Sequence, residues 1–154
     1  MKGINYYLTI LILLPFFAFS QGEGQNWFFG YNAGLDFTGG NPVAVTNGAI
    51  NQWEGVASIS DAGGNLLFYT NGQNVWNRNH VIMTNGSGLL GHQSSSQSAV
   101  IVPYPYYPDR YYVFTVDQLA GSNGVRYSIV DMSLSAGLGA VTSTKNMPLM
   151  TNAA

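Results

Sequence analysis

Beyond residue 20 the chain alternates short runs of β-branched and aromatic residues with clusters of Gly, Asn, Asp and Pro. No stretch there sustains the three-and-four spacing of an amphipathic helix. The pattern predicts strands near Asn26–Phe29, Leu35–Thr38, Gly55–Ser60, Leu66–Thr70, Asn74–Trp76, Ala99–Pro103, Tyr111–Asp117, Val125–Asp131 and Ala140–Thr144, with minimal helix. Two hairpins stand out. Between Val56 and Thr70, residues Asp61 to Asn65 supply positive φ and side-chain to backbone hydrogen bonds between two alternating runs. Between Ala99 and Val116 the connection Tyr104-Pro-Tyr-Tyr-Pro-Asp109 is longer and stiffened by proline. A third strand follows each pair, at Gln73–Trp76 and Val125–Asp131.

Laying Val56-Ala-Ser-Ile59 on Val100-Ile-Val102 gives a repeat of about 44 residues, and three or four strands recurring at 40 to 45 residues is the period of a β-propeller blade. A β-sandwich is the other architecture that regular short strands allow. The expected fold is therefore all-β, a partial β-propeller. Propellers close with about four to eight blades, whereas residues 21–154 supply about three. The chain is thus expected to be a fragment of a larger propeller, with open edges that leave it associated or partly molten.

The first 20 residues read differently. Lys2 precedes the apolar run Leu8–Phe19, and Ala18-Phe19-Ser20 places small residues at the −3 and −1 positions of a cut before Gln21. This is the layout of a secretory signal peptide, expected as an N-terminal helix read by the export machinery. A run this short does not span about 30 Å of hydrocarbon, and no later segment approaches spanning length. The mature region is expected outside the cell.

Composition narrows the class further. Only 8% of residues are charged while 46% are hydrophobic, which excludes a disordered tail. Arg78, Arg110, Arg126 and Lys145 are scattered among Glu23, Asp36, Glu54, Asp61, Asp109, Asp117 and Asp131, so no basic patch exists to bind nucleic acid. The polar surface must be built from Asn, Gln, Ser, Thr and Gly. Cysteine is absent, which removes disulfides, thiolate zinc ligands, a cysteine nucleophile and a lipoprotein anchor.

Three stretches carry a family resemblance: Trp27-Phe-Phe-Gly-Tyr-Asn-Ala-Gly-Leu-Asp-Phe37, Glu54–Gly72 with its Ser-Asp-Ala-Gly-Gly-Asn turn, and Val75-Trp-Asn-Arg-Asn-His80. Gly88–Gly91, Gln97–Pro103, Tyr111–Asp117 and Arg126–Leu134 follow in the same order. Together they resemble the N-terminal repeats of large secreted bacterial surface proteins that end in a gliding-motility-associated, type IX secretion sorting domain. The resemblance covers almost the whole mature region. It implies WD/YVTN-like propeller blades followed by adhesive modules and the sorting domain, and it brings no catalytic residues with it.

Candidate chemistry is sparse. His80 and His92 lie in Asn/Gly/Ser-rich connections without metal-ligand spacing, and are expected to be exposed or packed loop histidines. Ser94-Ser-Ser-Gln-Ser98 beside His92 lacks the Gly-x-Ser-x-Gly elbow of a hydrolase. Glu54, Asp61, Asp117 and Asp131 could form a glycosidase pair only if two lay about 5 to 9.5 Å apart with one pKa raised; the structural expectation is that they cap turns, end strands or join blades. Asp61-Ala-Gly-Gly-Asn65 has two oxygen-bearing side chains in a glycine-rich loop but no EF-hand spacing. Catalytic, cofactor and metal residues are accordingly not assigned.

Trp27 and Trp76 are expected in inter-blade packing, with Trp53 and the tyrosines as further aromatic surface. Tyr104, Tyr106 and Tyr107 are the candidate ligand contacts, because prolines 103, 105 and 108 hold their loop extended and out of a sheet. The expected function is a non-enzymatic recognition or adhesion scaffold on the cell exterior, binding a protein or glycan. A polysaccharide hydrolase or lyase and a structural spacer are the alternatives.

Overall fold

The computed structural model describes residues 22–151, so the predicted signal peptide, residues 1–20, lies outside the described residues. Among these residues the chain forms twelve strands and three short 3-10 turns, and no α-helix. β1 (Asn26–Phe29), β2 (Ala33–Asp36) and β3 (Val43–Val45) make an antiparallel sheet of their own. β4 (Ala57–Ser60), β5 (Leu66–Thr70), β6 (Asn74–Asn77) and β7 (Ile82–Ser87) run up and down in sequence order. β8 (Ala99–Pro103), β9 (Arg110–Val116) and β10 (Val125–Asp131) repeat that pattern.

Two short strands finish the sheet. β11 (Ala140–Val141) pairs with β10 and meets β7 through one parallel bridge, Ala140 to Thr84. β12 (Met147–Met150), with Pro148 inside it, pairs with β10 alone. The path β4-β5-β6-β7-β11-β10-β9-β8 is continuous, and its ends β4 and β8 return against each other, so the sheet nearly closes like a barrel.

Neighbouring residues of β5 and β6 point into different cores, as the two-residue period of a strand requires. Phe68 and Val75 face inward with Ile59, Met83, Leu89, Tyr111, Val113, Val130, Met132 and Val141, which fill the space between the β4–β7 and β8–β10 walls. Tyr69 and Trp76 face the other way, against Phe28 of β1 and Ile50 in the connection after β3. Phe28, Tyr69 and Trp76 form a stack with ring centroids 4.5 and 5.5 Å apart. The Tyr69 hydroxyl accepts from the Ala49 amide at 2.9 Å and lies 3.1 Å from Nδ1 of His80, whose Nε2 is 3.0 Å from the Asn47 amide nitrogen. His80 is thus a packed loop histidine. Its burial lowers its pKa below the ordinary imidazole value.

Local chemistry explains where strands stop. The Asp36 carboxylate accepts from the Thr38 amide and hydroxyl at 2.8 and 2.7 Å, turning the chain two residues before the predicted end of β2. Asp61 Oδ1 accepts from the Gly63 and Asn65 amides, both at 2.9 Å, which builds the expected β4–β5 turn. Gly72 sits at φ +83 after β5, and a Cβ there would lie 2.2 Å from Ser98 Oγ, so this turn and the start of β8 fit only around glycine. β3, β7 and β12 go beyond the predicted set: Asn85-Gly86 reads as a turn, Pro148 reads as a breaker, and Val43–Val45 is too short to stand out. The Thr70-side polar groups are satisfied locally, with Thr70 Oγ1 donating to the Asn74 carbonyl at 2.7 Å.

Two measurements check this packing. Phe68→Ala, which empties the inner core, is expected to lower the unfolding free energy by about 3–5 kcal/mol in chemical denaturation, whereas Val102→Thr on the outer face of β8 changes it by less than about 0.5 kcal/mol. Above about pH 6.5 His80 is neutral folded and unfolded; below it the unfolded chain takes a proton that the folded site resists. Stability should therefore fall as pH drops through that region, and His80→Gln should flatten this step.

Candidate functional site

The β8–β9 loop is two proline turns in series. Tyr107 donates its amide to the Tyr104 carbonyl at 3.3 Å, and Arg110 donates to the Tyr107 carbonyl at 3.1 Å, so Pro105 and Pro108 each occupy the second position of a four-residue turn. That position suits their fixed φ. Tyr106 then falls at the third position with φ +67, a left-handed conformation that favours glycine and is rare for an aromatic residue.

The three tyrosines have distinct surroundings. Tyr106 is 100% exposed at the corner of the turn. Tyr107 is 52% exposed and stands edge-on to Tyr104, centroids 5.3 Å apart at 87°. Tyr104 is half-buried, stacked on Tyr112 of β9 at 4.5 Å and 17°. Tyr112 continues into Phe114 and Tyr127, an aromatic ladder on the outer face of β9 and β10. Pro105 and Pro108 keep the loop clear of the sheet as expected, but they fold it into turns instead of holding it extended, Pro103 pairs with Tyr111 at the end of β8, and Tyr104 folds back to support Tyr107.

Beside Tyr107 lies a cleft of about 170 Å³ lined by Tyr107, Pro108, Asp109, Arg110, Asp131 and Ser133. The register opposes Arg110 to Asp131, and Arg110 Nε donates to Asp131 Oδ2 at 2.8 Å. Asp131 Oδ1 accepts from the Ser133 hydroxyl and amide at 2.5 and 3.0 Å. These bonds, Ser133 first and Arg110 with it, hold the Asp131 carboxyl below its ordinary pKa. The Arg110 guanidinium carbon is 5.1 Å from the Tyr107 ring centroid, a cation–π distance. The Asp109 carbonyl accepts from the Met132 amide at 2.7 Å, which ties the β8–β9 loop to the β10–β11 loop across the cleft.

The other sequence candidates disperse. Val116 pairs with Val125 and Arg110 with Asp131, so Asp117 and Asp131 stand at opposite ends of the β9–β10 ladder. At about 3.3 Å per residue they are ~20 Å apart, far beyond a glycosidase pair. Asp117 caps the Gln118 and Asn123 amides, and Glu54 accepts from Ser96 Oγ at 3.0 Å. Both Asp61 oxygens face the Asn65 side-chain amide, and its hydrogen bonds lower its pKa rather than raise it. His92 Nδ1 accepts from the Ser94 amide, and Ser98 Oγ donates to the Asn71 carbonyl. Among the described residues no group of three metal-ligating side chains converges.

Trp76 is packed between segments as expected, while Trp27 is half-exposed with its Nε1 donating to the Gly24 carbonyl. Trp27 and Phe29 line a groove of about 430 Å³ where β1, β4 and β8 run side by side. Trp53 is exposed and donates to the Tyr31 hydroxyl at 3.0 Å. Asp109, Arg110 and Ser133 are the residues of the tyrosine cleft that the sequence did not single out. The signal was the pairing of Arg110 with Asp131, visible only once the β9–β10 register is set.

No protein-family model, no curated protein and no solved structure matches this chain.

The left-handed Tyr106 gives a direct test of this geometry. Tyr106→Gly is expected to raise the unfolding free energy by about 1 kcal/mol, the cost of left-handed backbone for a residue with a Cβ. Denaturant titration of the two proteins measures it.

Proposed function

We propose that this chain is part of an exported, non-enzymatic recognition scaffold whose stacked sheets are successive blades of a β-propeller. The observation that carries it is the repeated face-to-face stacking of up-and-down strands, β1–β3 on β4–β7 and β4–β7 on β8–β10, with the first strands β1, β4 and β8 brought together around one groove. Blades of a propeller place their first strands around a common axis in this way. The outer face of β8–β10, with Val100, Val102, Tyr112 and Phe114, is the face on which a further sheet of the same protein would stack.

Export is supported by the Lys2 and Leu8–Phe19 pattern, and surface display by the resemblance to gliding-motility-associated proteins of the type IX route. Recognition is supported by the tyrosine loop: exposed aromatic rings on a rigid frame give contact area at little entropic cost. A polysaccharide-cleaving enzyme is disfavoured by carboxylates that are spent as turn caps, with Asp61 and Asp131 shifted downward instead of upward.

The test is surface-based binding of the purified protein to a panel of glycans and extracellular proteins, beside the double variant Tyr106→Ala/Tyr107→Ala. A recognition scaffold predicts at least one partner whose signal falls tenfold or more in the variant, with the near-ultraviolet circular dichroism of the buried aromatics retained. Silence across the panel, or release of reducing sugar from any polysaccharide on it, overturns the proposal.

A further inference from the structure

We infer that the cleft between the β8–β9 and β10–β11 loops is a carbohydrate site that takes a pyranose ring of a neutral glycan, the Tyr107 ring serving as its platform. The inference rests on the recognition-scaffold reading and gives it a ligand class.

A pyranose offers two chemistries at once, an apolar face of C–H bonds and a rim of hydroxyls. A site for it needs an aromatic ring held still and planar polar groups at the ring's edge. Tyr107 meets the first need. It is half-exposed, yet its orientation is fixed by the edge-on contact with Tyr104, which is itself stacked on Tyr112. Little rotamer freedom remains to be lost on binding.

The polar edge is also in place. Asp131 engages Arg110 through Nε, and the two terminal guanidinium nitrogens have no hydrogen-bond partner among the described residues. They form a planar donor pair held over one face of the Tyr107 ring. The exposed Asp109 carboxylate likewise has no donor among the described residues and is free to accept from a hydroxyl. Ser133 Oγ gives its proton to Asp131 and keeps its lone pairs. Donor fork, acceptor and stacking face thus border one cavity of about 170 Å³. That is smaller than the pockets of about 300–1,000 Å³ that enclose drug-sized ligands, and it suits a single ring of a chain that continues outward.

Charge selects among glycans. Arg110 and Asp131 neutralise one another, which leaves Asp109 as the net charge of the cleft. The same end of the molecule carries Asp61 in the β4–β5 turn and Glu23 beside it, with Arg78 as the other cation. An acidic sugar or a phosphate would meet an unfavourable field, while a neutral sugar loses nothing. Tyr106, wholly exposed next to Tyr107 and held in the left-handed region, presents a second ring for the adjoining sugar. Strained backbone of this kind persists where it positions a contact group.

Saturation-transfer NMR with cellohexaose, mannohexaose and chitohexaose, against tri-galacturonate as the acidic comparison, tests the assignment on the purified protein. Expected are binding near millimolar strength to at least one neutral hexasaccharide, transfer concentrated on ring C–H protons, and no comparable signal from tri-galacturonate. Tyr107→Ala should weaken binding tenfold or more and Asp109→Asn several-fold, whereas Trp53→Ala should leave it unchanged. Both cleft positions are exposed, so these variants keep the fold, which near-ultraviolet circular dichroism verifies. Absence of neutral-sugar binding, equal binding of the acidic sugar, or binding that survives Tyr107→Ala overturns the inference. If a protein on the earlier panel binds in a tyrosine-dependent way while every sugar is silent, the glycan assignment falls and the scaffold stands. If nothing binds, both fall.

Discussion

Phe68 and Tyr69 are adjacent in the chain and point into different cores, one closing against Tyr111 and Val113, the other against Phe28. A sheet buried on both faces must be apolar at successive positions, which is why β5 reads Leu-Leu-Phe-Tyr-Thr rather than alternating. The two walls around it hold their shape because this sheet stands between them. Its edges bring β1, β4 and β8 together, and its turns fix the end of the molecule where the tyrosine cleft opens.

A protein with so few charges has to satisfy its polar backbone by other means, and side-chain amides and hydroxyls take on that role. Asn71 Oδ1 accepts from the Gln73 and Asn74 amides, and Asn77 Oδ1 accepts from the Asn79 and Val81 amides. Asn146 spans the β7 end and β10, accepting from the Leu90 amide and donating to the Gly88 carbonyl, with its own amide on Ser128 Oγ. Neutral groups of this sort close turns without drawing counterions, and they leave Arg110 and Asp131 as the one ion pair among the described residues. The carboxylates follow the same logic. Asp36, Asp61 and Asp117 each receive backbone N–H groups at a turn.

Much of this was legible along the chain. The β-strand class, the Asp61–Asn65 hairpin, the burial of Trp76 and the projecting Tyr-Pro loop all follow from local chemistry: alternation, turn residues and the fixed φ of proline. What local chemistry does not carry is which strands meet. The nearly closed path through the Ala140–Thr84 bridge depends on two distant segments, and the strands at Ile82–Ser87 and Met147–Met150 contain residues that argue against strand when read alone. The cleft divides in the same way. Tyr106 and Tyr107 declare themselves by the prolines around them, whereas Arg110 becomes part of a site only through a partner twenty-one residues later across a ladder.

Pro148 lies within β12, which among the described residues pairs with β10 alone. Lacking an N–H, it removes one ladder donor from this border strand, the kind of position to which proline in a sheet is confined. Two copies of the chain meeting at that border would therefore find a strand poorly suited to continued pairing, while the loops at the tyrosine cleft stay open to contact.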